Sequence, residues 1–451
     1  MTSRCFPGAH LGDTLPSGSL VSVSRVTSPV RAVAALSLVL VPSLIAAPAF
    51  AHPRPTDQLV SVTATTETPG VYDDDAGGNG DADDPAIWVN RHDKAHSVVI
   101  GTAKNAGLKV YDLKGKLLQS IKAPAAPGPD DEAGRFNNVD IVHGFRLGGR
   151  TVDLAVTSDR GRDQIRSYVI DQHTGRLTDV TAANVPLAFS ADQAAVNEQS
   201  TVYGLTTFKE RGTAYVVGTR RHATDVGLFK LSTVGGKVTY KKVDTLDFPS
   251  TFRLPNGTTW SPCEEPGEGP QLEGLVVDEA AGTLYAAQED IGLWQVKVGH
   301  GRFQGKPRSV ERTKEFGVPA TYDEQSEECV PSGADPGYGG RIAADTEGLT
   351  IYKTGRRSGT LLVSSQGDNT FYSYDRQTLR PLKHFAIVDG PAADGSQDCD
   401  GADTVSTPLP GYPHGLLVVQ DGDNTPVELG DDGEARVNTN FKFLDAKILT
   451  R

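Results

Sequence analysis

Two segments of the sequence place carboxylates at both ends of the same pattern of short apolar runs. Residues 271–290 read QLEGLVVDEAAGTLYAAQED, and residues 345–368 read DTEGLTIYKTGRRSGTLLVSSQGD. In each segment an acid precedes Gly-Leu, and a later Gly-Thr-Leu run ends in polar residues. Oxygen ligands of this kind suit Ca²⁺, whereas Zn²⁺ prefers His and Cys side chains, which both segments lack. The pattern therefore suggests a calcium site, provided that the fold brings the acids together.

The same pattern recurs along the chain. Further copies begin at Asp84, Asp140, Tyr203 and Asp403, in addition to those at Glu273 and Glu347. Alternation with period two, interrupted by turn residues, predicts antiparallel strands. Repeated short meanders without helical segments predict an all-β fold, a six-bladed β-propeller of four-stranded antiparallel blades. The strand-like segments VSVTATTETPGV and NFKFLDAKIL lie near opposite ends of the chain, and one of them is expected to complete a blade begun at the other end.

A propeller would bring equivalent positions of all blades to the same height around one axis. The residues that lead the copies should therefore gather at one mouth of the channel. The polar residues that follow the second apolar run of the later copies should lie near the same face of the propeller. They are Glu289, Asp290, Gln366, Asp368, Asp421 and Asp423. Any one of these acids is equally consistent with an ordinary turn residue. As a set they would repel each other unless cations lay between them, which favours calcium.

Basic residues occupy the corresponding positions of the first three copies. They are Lys104, Arg160, and the pair Arg220 and Arg221. Each alone is compatible with a solvated loop. Together with metal-loaded carboxylates they would form a site suited to phosphate, because Arg makes bidentate contacts and a metal neutralises charge.

Bulk properties narrow the choice of partner and compartment. The formal net charge of −13 and the sequence pI near 5.3 argue against a nucleic-acid partner held by a broad basic face. Arg25 and Arg31 precede an apolar run that ends in Ala49-Phe50-Ala51, which predicts a cleaved signal peptide over residues 1–51 and secretion. No second apolar stretch is long enough to span a bilayer.

Three cysteines would remain after signal-peptide cleavage. Cys263 and Cys329 lie in inserts rich in Pro and Gly, and they are expected to pair in an exported protein, which would leave Cys399 free.

An ordered set of motifs resembles the β-propeller phytases, which are secreted calcium-dependent phosphatases acting on myo-inositol hexakisphosphate. The motifs are DDPAIWV, NNVDI, VYGL, LEG…GTLYAAQED, DTEGLTIY, LLVSSQGDN and GLLVVQDGDN. The resemblance implies a single six-bladed β-propeller phytase domain over residues 52–451. It implies calcium-bound phytate as a small-molecule partner, no nucleic-acid or membrane partner, and a monomer.

The resemblance also implies roles for individual residues at a cleavage site and an adjacent phosphate-affinity site. The implied calcium ligands are Asp84, Glu273, Glu289, Asp290, Asp345 and Glu347, with Tyr203, Gln366 and Asn369 completing the shell. A structural calcium set would comprise Asp398, Asp400, Asp421 and Asn424. Phosphate would contact Lys104, Arg160, Arg220 and Arg221, and the implied catalytic residues are Lys104, Arg160, Tyr203, Glu273 and Glu289. A calcium-bound water would attack phosphorus in line, and Lys104 or a water near it would protonate the leaving alkoxide.

The sequence departs from the family pattern at a few of these positions. Asn105 stands where a second Lys is common, Arg220-Arg221 replaces a Lys-Glu pair, and Gln288 replaces an acid. Two other functions stay open on the residues alone. One is a calcium-dependent lactonase on a six-bladed propeller, and the other is a non-catalytic secreted propeller that binds a partner.

Overall fold

Alternating apolar and polar residues form short antiparallel strands throughout the computed structural model, which describes residues 58–430, 433 and 435–450. The predicted signal peptide lies outside these residues. The first described strands are β1 (Leu59–Val62), β2 (Thr66–Glu67) and β3 (Val71–Tyr72). Six sheets, each built on four antiparallel strands, follow in a ring, which confirms the predicted six-bladed propeller.

The first three blades are consecutive four-stranded meanders. Blade 1 contains β4 (Pro85–Trp88), β5 (Val98–Thr102), β6 (Leu108–Asp112) and β7 (Leu117–Ile121). Blade 2 contains β8 (Phe136–Leu147), β9 (Arg150–Asp159), β10 (Gln164–Ile170) and β11 (Leu177–Asp179). Blade 3 contains β12 (Val202–Glu210), β13 (Thr213–Arg220), β14 (Asp225–Val234) and β15 (Lys237–Asp247).

Small hairpins separate the later blades. The hairpin β16 (Phe252–Arg253) and β17 (Thr259–Trp260) precedes blade 4, which contains β18 (Leu272–Asp278), β19 (Thr283–Gln288), β20 (Gly292–Gly299) and β21 (Arg302–Arg312). The hairpin β22 (Ala320–Asp323) and β23 (Glu328–Pro331) precedes blade 5, which contains β24 (Thr346–Lys353), β25 (Gly359–Ser365), β26 (Thr370–Asp375) and β27 (Pro381–Ile387). Blade 6 begins with β28 (Ala402–Val405) and β29 (Leu416–Asp421). The hairpin β30 (Glu428–Leu429) and β31 (Ala435–Arg436) follows, and the blade resumes at β32 (Asn438–Asp445).

The two ends of the described chain close the ring together. Strand β2 pairs antiparallel with β32 and supplies the fourth strand of blade 6, while β3 pairs with the start of β32. Strand β1 adds to blade 5 as a fifth strand, parallel to β27. The prediction that one terminal segment completes a blade begun at the other end is therefore confirmed.

The apolar cores lie between adjacent blades. Phe208 and Val217 of blade 3 pack in one cluster with Leu284 and Trp294 of blade 4, and the other interfaces are built similarly. Each large apolar side chain buried in this way contributes about 1.5–3 kcal/mol. The innermost strands β4, β8, β12, β18, β24 and β28 contact one another in ring order around the axis.

Leading acids link three of the interfaces between blades. Asp403 of blade 6 accepts a hydrogen bond from the Ile87 amide of blade 1 at 2.8 Å, and Asp84 accepts one from the Val139 amide of blade 2 at 3.0 Å. Asp140 accepts one from the Thr207 amide of blade 3 at 2.6 Å. Asp140 lies within β8 and Asp403 within β28, so neither is a turn residue, and both carboxylates hydrogen-bond to the next blade.

Helical structure is limited in the described residues. One α-helix spans Gln193–Asn197, and its N-cap Asp192 accepts a hydrogen bond from the Ala195 amide at 3.0 Å. The expectation of no helical segments is wrong in this detail. Short 3₁₀ turns occupy Asp75–Gly77, Lys94–His96, Gln366–Asp368 and Ala446–Leu449. Among the described residues no helix has the length and apolar character needed to cross a membrane.

Candidate metal centre and phosphate site

A shared local distortion positions three of the leading residues. The pairing of β12, β18 and β24 with the next strand shifts register at residues 202–205, 272–275 and 346–349. Such β-bulges re-aim side chains and are common beside active sites. They fall on the motifs Tyr203-Gly204, Glu273-Gly274 and Glu347-Gly348 and release these residues from the regular pleat.

The glycines of these motifs allow the inner strands to approach each other. A Cβ on Gly204 would lie 2.0 Å from the carbonyl oxygen of Glu273, and a Cβ on Gly274 would lie 2.3 Å from that of Glu347. No other residue fits such a backbone approach. The Gly that follows each leading residue therefore brings Tyr203, Glu273 and Glu347 into adjacent positions.

Three buried glutamates meet at this point. The carboxylates of Glu273, Glu289 and Glu347 offer ligand atoms that all lie within 4.8 Å of one another. Glu289 directly follows β19, and its carbonyl accepts a hydrogen bond from the Thr346 amide at 2.9 Å, which places it beside Glu347. Burial, Asp345 and Glu273 raise the pKa of Glu289 well above its usual range, and burial with Glu273 and Glu289 does the same for Glu347.

A second group of acids adjoins the glutamate triad. Burial and the neighbouring Glu264 carboxylate raise the pKa of Asp290 to about 8, and burial and Asp290 raise the pKa of Asp345 to about 8. Glu315 also raises the pKa of both aspartates. Glu264 and Glu315 were not predicted from the sequence, because they lie in inserts outside the repeated motif.

Lys104 lies within a group of aspartates. Its backbone is in the left-handed region (φ 45°), and its ammonium forms an ion pair with the buried Asp83 and lies 3.7 Å from Asp400 and 3.9 Å from Asp81. Burial alone would lower the pKa of Lys104, but Asp83 and Asp400 raise it above its ordinary value. Asp81 and Asp83 were not predicted as site residues, although both lie beside the predicted ligand Asp84 in the segment DADDPAIWV.

The predicted ligands Asp84, Asp400 and Gln366 lie near these groups. Burial raises the pKa of Asp84 well above its ordinary value, and the charges of Asp83, Asp403 and Glu273 add to that effect. Gln366 donates a hydrogen bond to Asp400 at 2.7 Å.

Three arginines face the acids from blades 2 and 3. Arg160 donates a hydrogen bond to Asn137 at 3.1 Å, and Asn137 donates one to Glu273 at 2.6 Å. Burial, Arg160 and Arg221 lower the pKa of Arg135 to about 10, and burial and Arg160 lower the pKa of Arg221 to about 10. The charges of Arg135, Arg160 and Arg221 therefore act on one another, and we call these three residues the arginine cluster. Arg135 was not predicted from the sequence. Its position directly before the Phe-Asn-Asn-Val-Asp run is the sequence feature that could have identified it.

The structure separates the two adjacent arginines that were predicted to bind phosphate. Arg220 donates a hydrogen bond to the Ser200 carbonyl at 2.9 Å and pairs with Asp225 at 3.4 Å. Arg221 instead belongs to the arginine cluster. Arg220 is the last residue of β13, and successive side chains leave an extended chain on opposite sides.

Tyr203 lies between the arginines and the glutamates. The Arg160 guanidinium carbon is 5.3 Å from the centre of its ring. Burial and the charges of Glu273, Glu289 and Glu347 raise the pKa of the Tyr203 phenol well above its ordinary value, so it stays neutral.

The residues of the predicted structural calcium set have different partners. Asp421 and Asn424 surround the ammonium of the buried Lys442, with Asp421 Oδ2 at 3.0 Å and Asn424 Oδ1 at 2.8 Å. The Asp398 amide donates a hydrogen bond to Asn369 at 2.9 Å, whereas Asp400 belongs with Lys104. A lysine charge therefore already balances part of this set.

The glutamate triad fits a hard divalent cation. Glu289 Oε1 and Glu347 Oε2 are buried and receive no hydrogen bond from the described residues, and the same is true of Glu264 Oε1 in the adjacent group. Unpaired buried carboxylate oxygens are costly unless a cation compensates them. The donor atoms are all oxygens, which matches the preference of Ca²⁺.

The sequence model of the phytase family matches residues 28–252 and 267–450. The chain belongs to the phytase family. It is also similar to a 3-phytase from Bacillus subtilis (strain 168), with 33% identity over 406 residues that cover 89% of this chain and 88% of that protein. Both findings support a phosphatase-type hydrolase.

The solved structures that resemble this chain are more distant. The α-L-arabinofuranosidase Arb93A from Fusarium graminearum shares 10% identity at a TM-score of 0.44, covering 86% of this chain and 100% of that one. The calcium-binding protein regucalcin from Agrobacterium tumefaciens str. C58 shares 11% identity at a TM-score of 0.41, covering 85% of this chain and 95% of that one. These likenesses carry no inference about function.

Proposed function

We propose that the protein is a calcium-dependent 3-phytase that hydrolyses calcium-bound myo-inositol hexakisphosphate to lower inositol phosphates and phosphate. The supporting observation is that one asparagine links two oppositely charged groups. The arginine cluster is linked through Asn137 to the triad of Glu273, Glu289 and Glu347. An anionic substrate with several phosphates can contact both groups, because cations on one side and metal-loaded carboxylates on the other each neutralise phosphate charge.

The triad, with Asp345 and Asp290, would hold calcium near the scissile phosphate. Bound calcium supplies charge neutralisation and a water ligand of lowered pKa. Tyr203 keeps its proton and can donate a hydrogen bond to a phosphate oxygen. Lys104 retains its charge at any physiological pH, so we assign it to phosphate binding and assign protonation of the leaving alkoxide to a water near it.

The setting of the protein is part of this proposal. We propose export and cleavage after residue 51, and the Cys263–Cys329 disulfide supports an oxidising compartment. Cys399 is buried and forms no disulfide with the other cysteines that the structure describes. The substrate is a small molecule, with no nucleic-acid or membrane partner, and the chain acts as a monomer.

The direct experiment measures phosphate release from phytate by the mature chain. We expect release in millimolar calcium and loss of release in excess chelator, with recovery when calcium is restored. A lactone substrate serves as the control for the alternative enzyme class. Lactone opening without phosphate release would overturn the proposal, and so would the absence of both activities in calcium-loaded, folded protein.

The adjacent arginines provide a matched pair of variants. Arg221→Ala should raise the KM for phytate about tenfold or more, because a charged hydrogen bond to phosphate contributes about 1.5–3 kcal/mol. Arg220→Ala should change KM by less than about threefold, since its guanidinium already bonds Ser200 and Asp225. Steady-state kinetics on both variants tests this assignment. A larger effect at Arg220 than at Arg221 would contradict it.

A further inference from the structure

One acidic side chain reaches the metal centre from a segment that the family pattern omits. The family match breaks at residues 253–266, between the two matched stretches. This insert contains β17, Cys263 and Glu264. Its carboxylate therefore has no counterpart in the matched parts of the family pattern.

The insert is anchored on both sides of Glu264. Before Glu264, the ring centre of Trp260 lies 4.7 Å from that of Phe316, and the Trp260 indole donates a hydrogen bond to the Val318 carbonyl at 2.8 Å. Cys263, directly before Glu264, forms a disulfide with Cys329. After it, Glu268 lies 2.6 Å from His222 Nδ1, and the Gly269 amide donates to the His222 carbonyl at 3.0 Å. The backbone at Glu264 is thus held between two fixed points.

Between these anchors, the Glu264 carboxyl group lies close enough to Asp290 for each to act on the pKa of the other. The Glu264 Oε1 atom is buried and has no hydrogen-bond partner in the part of the chain that the structure describes. The charges that act on Asp345 in the same group come from Asp290 and Glu315, both acids. Several carboxylates are therefore close together, and each charge that acts on the pKa of Asp345 among the described residues is an acid.

An independent observation points to a ligand in this group. Glu289 is 8% exposed, and its Oε1 atom also has no hydrogen-bond partner among the described residues. Of the neighbouring charges, Asp345 has the largest effect on the pKa of Glu289. A nearly buried carboxylate oxygen without a donor, next to further carboxylates, is the arrangement expected of a cation site.

We propose that Glu264 is an additional carboxylate ligand, together with Asp290 and Asp345, of a divalent cation at the edge of the metal centre, and that the Cys263–Cys329 disulfide holds it in place. Calcium affinity depends on the number of charged ligands and on the rigidity of the site. The insert supplies both, through one extra carboxylate and a covalent anchor directly before it. Reduction of the disulfide then weakens cation binding. This inference rests on the proposed function, because it assumes that the adjoining acids bind calcium.

Calcium titration calorimetry on the chelator-treated mature chain tests the inference without measuring activity. Glu264→Gln should weaken one calcium site about tenfold or more, or remove it. Glu265→Gln is the matched control, because it makes the same change at the neighbouring exposed residue, and it should bind as wild type. Wild type with its disulfide reduced should show the same loss as Glu264→Gln, and reduction of Glu264→Gln should add little to it.

The possible outcomes separate this inference from the proposed function. Wild type that binds no calcium would overturn both. Wild type that binds calcium, with Glu264→Gln binding equally well, would overturn only the role of Glu264. A loss of affinity on reduction of wild type supports the inference even if the variant folds poorly. Unchanged affinity on reduction would show that the disulfide does not hold the ligand.

Discussion

Glu289→Gln is expected to melt at a higher temperature than wild type without calcium and at a lower temperature with calcium. Glu289 is buried beside Asp345 and Glu273, and without a cation its charge or its forced protonation is costly. The amide removes that cost and keeps the size of the side chain. When calcium is present, the variant has lost a ligand and gains less from binding. Phosphate release should fall at least about 10²-fold.

The pH dependence of the calcium-free protein follows from the same carboxylates. An acid whose pKa is raised on folding stabilises the native state at low pH, and this stability is lost as the pH rises through the folded-state pKa. Asp290 and Asp345 have pKa values near 8, so wild type in chelator should lose stability between about pH 4 and pH 8.

Differential scanning calorimetry in chelator and in calcium, at pH 5 and pH 7.5, measures these effects. We expect the advantage of Glu289→Gln in chelator to be about 2 °C or more at pH 7.5 and to shrink at pH 5, where wild-type carboxyls are protonated at little cost. Wild type that melts higher than the variant in both solutions would show that the triad is stable without a cation. That result would remove the physical basis of the metal centre.

The sequence was sufficient for the fold because each blade repeats the same local signals. The Gly after Glu273 and Glu347 marks both a β-bulge and a close backbone approach, and both recur in blades 3, 4 and 5. The sequence therefore predicted that these glutamates lie close together, because they occupy equivalent positions in their blades. The same reasoning predicted that Asp140 and Asp403 lie at the mouth of the channel. Their carboxylates instead accept hydrogen bonds across the interfaces between blades.

The missed residues lie where the repeat carries no information. Glu264 and Glu315 come from inserts whose path depends on the disulfide and on aromatic packing around Phe316. Which of Arg220 and Arg221 joins the cluster depends on where β13 ends, a boundary that the sequence pattern does not define to one residue. Metal and phosphate ligands on such segments can be identified only from the three-dimensional structure.

Lys442→Met is expected to cause the largest loss of stability outside the metal centre. Lys442 is 0% exposed, and its ammonium pairs with Asp394, with Glu67 at 2.5 Å and with Asp421 at 3.0 Å. Removing one member of a buried charge network leaves the others uncompensated and costs about 3–5 kcal/mol. Glu67 belongs to β2, so the lost contact also loosens the strand that closes blade 6.

Chemical denaturation of Lys442→Met and of a control, Lys230→Met, measures this contribution. Lys230 lies on an exposed position of β14, and its replacement should change the free energy of unfolding by less than about 0.5 kcal/mol. Because Asp421 and Asn424 belong to the predicted structural calcium set, calcium should restore part of the stability of Lys442→Met, as a cation replaces the missing ammonium charge. A loss near that of the control would mean that the acids do not depend on Lys442. A full loss that calcium does not reduce would mean that the ammonium, rather than any cation, is required to hold β2 against β32.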